Sequence, residues 1–465
     1  MIFRSPVFLI QNPGIMGAKK IKKNVTTKSA ALEIINTDCA GIDVGATIMQ
    51  VCVPNDRAEV NNRCFGTTTS ELRNLCLWLG ECGITKVLME STGCYWKPLY
   101  RMLLEHGFKA DVVNAADVKN MSGRKTDVDD ATWLRDILAY GIYTPCFQSD
   151  SLSKKICAIT RFRDNYIKDG SKAVNRMQKA MEMMNIKLTE VISDITGVSG
   201  VRIIEAILEG ERDPEILVSY ADGRCRTPKG QIAEALEGTW DEDLIFMLSE
   251  SYEDYNRCRE KVRKCDLKIE SIAFSELGGV IIPEENRVKK HKSGKSPGMD
   301  IESMCHAAYG VNIMEIPGVS HSAALVILSE LGMDFIEKFS TPGKFCKWCG
   351  LVPNIKITGG NVISSRVAKS RNRVGQALRQ CAQSLSRCDN ELGVYYRRMR
   401  ARSGGLQANL ATAHKLGKIL YMMIKTQSGY DPSKLKTVNK SIIEKRLDRM
   451  RKATARLEKE LANAI

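Results

Sequence analysis

An aspartate interrupts the most strand-like stretch of this chain. Ala40-Gly41-Ile42-Asp43-Val44-Gly45-Ala46 reads as a strand, Ile48 to Val53 and Arg63 to Thr67 follow it, and a polar turn at Asn55-Asp56-Arg57 separates the last two. The pattern predicts a β-meander. A helix over Ser70 to Glu81, a strand over Lys86 to Glu90, a helix over Trp96 to His106, a strand over Ala110 to Val113 and a further helix come next. The order βββαβαβα requires a mixed sheet with helices packed on it. At the centre of such a sheet an unpaired carboxylate is expensive, so Asp43 needs a reason to be there. Glu90 falls at the carboxyl end of a neighbouring strand, where open α/β sheets place their sites.

The last helix of that series opens on Lys125-Thr126-Asp127-Val128-Asp129-Asp130-Ala131 and runs on through Trp133, Leu134, Ile137 and Leu138. Asp127 and Asp130 are three residues apart, which on a helix puts them on one face with Cβ atoms about 5 to 6 Å apart. Such acids serve as N-terminal caps. They also serve as a pincer for a hard divalent cation, Mg²⁺ or Mn²⁺ rather than zinc. Asp129 points off that face. With Asp43 and Glu90 the chain has four acids that converge. Acids on the first strand, the fourth strand and a later helix resemble the RNase H-like nucleases and recombinases of the RuvC type, whose sites hold two divalent ions roughly 3.5 to 4 Å apart.

A chain of 465 residues is too long for one core; two or three domains of roughly 100 to 200 residues are expected. Its formal charge of +15 and pI near 9.1 point to a polyanionic partner, for which nucleic acid is the usual candidate. The sixteen cysteines are scattered, which fits reduced thiols in a cytoplasmic protein. Cys346 and Cys349 flank Trp348 in an apolar stretch and read as core packing rather than a metal site. Val7 to Ile10 is too short for a signal sequence and no long apolar run follows, so no membrane partner is expected. Residues 1–38 read as a flexible basic leader, in which Met16 is an alternative start, and residues 39–150 as the sheet domain.

From Ile156 through Arg163, Gly170, Met177 and Met184, and again from Tyr255 through Cys265 to Ile272, apolar residues recur at three- and four-residue steps. These seams predict a coiled-coil hairpin with a helical insert over 151–280. Ile195 to Gly200 and Ile316 to His321 match each other, each preceding an apolar helix. Each fits a helix-hairpin-helix turn that offers backbone N–H groups to a phosphate, and equally a plain glycine-containing connection. Residues 281–300 form a basic linker in which Lys289, Lys290 and Lys292 are placed to touch phosphates. Beyond it, over 301–428, Thr358 stands beside Gly359 and Gly360 and is followed by Arg366, Lys369, Arg371 and Arg373. A hydroxyl in a flexible turn with cations nearby is what attack on a phosphodiester needs. Residues 429–465 read as an amphipathic helix, with Ile443, Leu447, Met450, Thr454, Leu457 and Leu461 at heptad steps.

Taken together, Gly41-Ile42-Asp43-Val44, Met89-Glu90-Ser91-Thr92-Gly93, Lys125 to Ala131, Ile316-Pro317-Gly318-Val319, Gly350-Leu351-Val352-Pro353 and Thr358-Gly359 resemble the DEDD transposases of bridge-RNA-guided insertion sequences, a family that includes DNA invertases of the Piv type. The resemblance covers roughly residues 40 to 425. It implies an α/β plus α architecture: a RuvC-like domain, a long coiled coil and a mostly helical transposase domain with a nucleophilic serine. It implies Mg²⁺ held by Asp43, Glu90, Asp127 and Asp130, donor and target double-stranded DNA, a structured bridge RNA, and homodimers that join into a homotetramer; Lys125 is counted with the other basic positions as a nucleic-acid contact. Two positions depart from the pattern. Thr358 stands where the family has serine, with Ser364 and Ser365 as the nearby hydroxyls, and Arg371 replaces a usual glycine. A transposase-derived nucleic-acid-binding protein without strand transfer, and a RuvC-like endonuclease that uses water, are the alternative readings.

Overall fold

Alternation within each strand decides which face of the sheet a residue joins. In the computed structural model, strands β1 (Cys39–Val44), β2 (Ile48–Cys52) and β3 (Asn62–Gly66) form an antiparallel meander, and β4 (Lys86–Glu90) and β5 (Lys109–Val113) add on in parallel, in the order β3-β2-β1-β4-β5. Helices α1 (Thr69–Glu81) and α2 (Trp96–Glu105) cover one face and α3 (Asp130–Ala139) the other. Ala40, Ile42 and Val44 of β1, Val87 and Met89 of β4, and Val112 of β5 join Leu72, Leu75, Leu79, Leu99 and Leu103 under α1 and α2. Cys39, Leu88 and Val113 join Leu134, Ile137 and Leu138 under α3. Each such aliphatic side chain contributes about 1.5 to 3 kcal/mol on burial. The central strand β1 is therefore apolar on both faces except at Asp43.

The structure describes residues 33–115, 118, 130–279, 281–283, 287–288, 296–367, 372–435 and 440–462. They divide into two compact units, Met1–Phe147 and Gln148–Ile465. The second begins with α4 (Ser151–Met183), continues through α5 (Val198–Leu208) and two short helices, and returns along α6 (Glu242–Leu277). Lys155 bonds Glu276, Arg163 bonds Asp266 and Arg176 bonds Asp254, a reversed order that makes α4 and α6 an antiparallel pair. The Arg163–Asp266 bridge is buried, with Nε 2.5 Å from Oδ1, and Gly298 donates its N–H to the same carboxylate at 3.0 Å. A buried pair of this kind fixes register more than it adds stability.

Beyond α6 the chain forms α7 (Ile301–Tyr309), α8 (His321–Leu331), α9 (Pro342–Trp348), a hairpin of β6 (Lys356–Thr358) and β7 (Asn361–Ser364), then α10 (Arg373–Ser384), α11 (Glu391–Ser403), α12 (Gly405–Thr426) and α13 (Lys440–Ala462). Phe335, Phe339, Phe345, Trp348 and Tyr421 pack ring against ring at its centre. The sheet unit with a mostly helical remainder is an RNase H-like plus helical architecture.

The two matched glycine turns are taken up by packing. A Cβ at Gly200 would overlap the backbone of Ile195, and Gly318, at φ +87°, lies against the carbonyl of Cys381. Cys346 and Cys349 are buried, and burial pushes the Cys346 thiol up to about 11 and that of Cys349 well above its usual value, as packed cysteines behave. On α13, Leu447, Met450 and Leu457 are exposed.

Candidate active site

Asp43 and Glu90 lie on the α3 face of the sheet. The reason is the pleat: Asp43 is two residues beyond Gly41, and Glu90 two residues beyond Leu88, which packs under α3. Gly41 faces the helix directly, since a Cβ there would overlap the carbonyl oxygen of Ala131 and the amide of Arg135. The parallel register pairs Ile42 with Met89, so the two acids are adjacent at the carboxyl ends of β1 and β4. Helix α3 runs back along β1. Its end is tied to the approach to the strand, where Ala139 O accepts from the Ile35 N–H at 2.8 Å and Leu138 O from the Asn36 side chain at 2.7 Å. Ala131 is already level with Gly41, and Asp130 precedes it. Asp43, Glu90 and Asp130, from three elements, therefore lie toward the same end of that face.

Each of the three is half-buried, and the Thr92 hydroxyl donates to Glu90 Oε1 at 3.3 Å. The set offers oxygen only, which suits Mg²⁺ or Mn²⁺. Among the described residues no three acidic, imidazole or thiol groups stand close enough to hold an ion by themselves. Asp127, the fourth acid of the expected set, lies outside the described residues.

The hydroxyl of Thr358 sits at the tip of the β6–β7 hairpin. A flexible turn was expected there, and the structure instead closes a two-residue turn. Thr358 pairs with Asn361 across Gly359 (φ +57°) and Gly360 (φ +82°). Both positions need the left-handed region, which glycine enters without cost and which matches the twist of the strands. Thr358 is exposed, Ser364 lies at the stem opposite Lys356, and Ser365 follows it. The base of the hairpin is pinned: Asn354 N donates to Arg366 O, Asn372 Nδ2 to Trp348 O, and Arg379 to Gly350 O at 2.5 Å.

Residues 40–186, which contain the sheet from the second residue of β1 onward, α3 and all of α4, match the DEDD transposase family of IS110 type, and residues 311–397 match the transposase family IS116/IS110/IS902. The chain belongs to the IS110 family of DEDD transposases. It is thus an enzyme that cleaves and recombines DNA in the transposition of an insertion sequence. No individual curated protein matches it.

The remaining basic positions divide. In the transposase, Arg366 is exposed beside the hairpin stem. Arg373, read from the sequence as a phosphate contact, forms ion pairs with Asp164 and, at 3.1 Å, with Glu330. Lys125, Lys289, Lys290, Lys292, Lys369 and Arg371 lie outside the described residues. Arg287, at the start of the basic linker, is bidentate to Asp300 at 2.9 and 2.5 Å. Sequence reasoning missed Arg135, which reaches across β1 to Cys52 Sγ and Val53 O and so holds α3 on the sheet. An arginine one turn into an otherwise apolar helix face was the available signal. No helix among the described residues is long and apolar enough to cross a membrane.

Proposed function

We propose that this transposase excises and inserts its element by phosphodiester transesterification, with Asp43, Glu90, Asp127 and Asp130 holding Mg²⁺, or Mn²⁺ in its place, and Thr358 as nucleophile. The observation that supports the reading is the placement of Asp43 and Glu90 at the carboxyl ends of paired strands, with Asp130 opening the helix on the same face. A bound ion would supply charge neutralisation at the phosphodiester. Thr358 Oγ attacks phosphorus, a Thr–O–P ester forms, and the P–O bond to one deoxyribose breaks, the hydroxyl proton passing to that oxygen. One phosphodiester replaces another. Tip placement at a rigid turn supports this role, because it presents the hydroxyl to a duplex without burying it.

The bridge RNA and the assembly of homodimers into a tetramer belong to the same proposal. They rest on the resemblance and on the basic charge of +15. Sequencing the RNA that copurifies with the transposase tests the first; recovery of only bulk cellular RNA would overturn it.

Thr358→Val keeps the shape and removes the hydroxyl, and should abolish strand transfer; Thr358→Ser should raise it by removing the methyl that restricts χ1. A covalent protein–DNA adduct should be trapped with Thr358 and not with Thr358→Val. Free ends without an adduct, at undiminished rate in Thr358→Val, would instead establish a RuvC-like endonuclease that uses water.

A further inference from the structure

Helix α11 carries Arg397, Arg398, Arg400 and Arg402 in its last two turns. Arg397 is occupied, since it donates to the carbonyls of Cys388 at 2.7 Å and Ser386 at 3.5 Å and pairs with Asp389. The other three are exposed, and among the described residues none pairs with a carboxylate. Tyr395, Arg398 and Arg402 recur at three- and four-residue steps and so share one stripe of the helix. Lys415 of α12 joins them: its ammonium lies 4.4 Å from the centroid of the Tyr395 ring, and the Arg398 guanidinium 5.9 Å from the same centroid. Burial and then the neighbouring Arg398 push the Lys415 ammonium below its ordinary range. Lys418, exposed, follows three residues on. Like charges gathered without an acid between them repel, and among the described residues no carboxylate is paired with Arg398, Arg402 or Lys415.

We infer that Arg398, Arg402 and Lys415 form a contact surface for the sugar-phosphate backbone of duplex DNA. The partner is chosen by chemistry. The stripe is cationic and exposed at Arg398 and Arg402, so it suits a polyanion. Its one aromatic ring is shared between two cations, which leaves it poorly placed to stack on an unpaired base, the usual anchor of single-stranded nucleic acid. DNA is the substrate of the family to which the chain belongs. The surface uses none of the cations assigned above, and its role does not depend on whether Thr358 is the nucleophile. Contacts of this kind position a duplex and carry no sequence preference.

The test measures full-length transposase binding to a labelled DNA duplex of unrelated sequence across a salt series. Each lost phosphate contact lowers the slope of log K against log salt by about 0.9. Arg398→Gln with Arg402→Gln should therefore lower the slope by about 2 and weaken binding tenfold or more at low salt, equally for any duplex sequence. Arg398→Lys with Arg402→Lys should restore most of the slope. Replacing Arg257 and Lys264, exposed cations of α6 that pair with their own helix, should leave it unchanged. Should the double glutamine variant not fold, Arg402→Gln alone, in the last turn of α11, should lower the slope by about 1. A wild-type slope in both glutamine variants, or an equal loss in the α6 control, would overturn the inference. So would a loss confined to duplex RNA with DNA binding intact.

Discussion

Gly41 and Ala131 meet backbone to backbone: a Cβ on Gly41 would overlap the Ala131 carbonyl oxygen and stand 2.9 Å from the carbonyl carbon of Leu134. This closeness brings the first residue of α3 to the strand that carries Asp43. Gly41→Ala must push the helix off the sheet, and overpacking against backbone costs about 3 kcal/mol or more. The expected outcome is a lower denaturant midpoint together with lost recombination. Gly80 of α1 is the control, because nothing lies within 4 Å of its missing Cβ. Gly80→Ala should stabilise by about 0.5 to 1 kcal/mol.

A second expectation concerns Arg373, which opens α10 directly after the hairpin and its basic segment. Its ion pair with Asp164 and its contact with Glu330, itself bidentate to Arg161 at 3.0 and 2.7 Å, tie the hairpin base to α4. Arg373→Ala should cost about 1.5 to 3 kcal/mol, as for hydrogen bonds to charged groups. Arg373→Asp with Asp164→Arg should recover part of both stability and recombination in a double-mutant cycle. A phosphate contact would behave otherwise. Recovery of stability with recombination still absent would return Arg373 to the DNA.

How far the residues announced this arrangement depends on what each signal measures. Alternation in Ala40 to Val44 and in Lys86 to Glu90 reports which side chains are apolar in turn, so the sheet and the α3 face of Asp43 and Glu90 were legible. The periodic runs over Ile156 and Cys265 likewise announced two long helices, whose antiparallel pairing the structure shows. The ion pairs of Arg373 were not legible because composition counts a cation without its partner: Asp164 and Glu330 lie far away in sequence, and only folding brings them to it. The hairpin was missed for a different reason. Ile357-Thr358 and Asn361-Val362 are short strands, and a Gly-Gly step between them looks like freedom until both residues are seen at positive φ. The stripe on α11 was passed over since its arginines fall on a helix with no chemical motif.

Acid should loosen the second unit at a definite point. Asp300 caps α7 through Ser303 and pairs with Arg287. Burial works to raise its pKa, but the Arg287 bonds and those from Ser303 outweigh it and bring the carboxyl down to about 2. A pKa depressed below the usual aspartate value of about 3.9 means stability that is present above that value and is lost as pH falls through 4 toward 2. The magnitude is about 1 to 2 kcal/mol, given partial exposure. Stability of the wild type should fall over this window, and the Asp300→Asn variant should start lower and fall less. Parallel pH curves for the two proteins would remove the pair from the account.

The last expectation follows from the proposed chemistry. For Thr358 to attack a phosphate held at Asp43, Glu90, Asp127 and Asp130, the hairpin tip has to reach the acidic end of β1 and β4. The two lie far apart in sequence with the α4–α6 pair between them, which favours a site shared between two subunits over one built within a single chain. Asp127→Ala alone and Thr358→Val alone should each be inactive while keeping the fold. Mixing the two should restore part of the activity, since a mixed dimer then keeps one site in which an intact acidic set meets an intact threonine. Recombination should peak near equal amounts of the two variants, and a linked heterodimer should reproduce it. Absence of rescue in a linked heterodimer that forms and binds DNA would place hydroxyl and acids in the same chain.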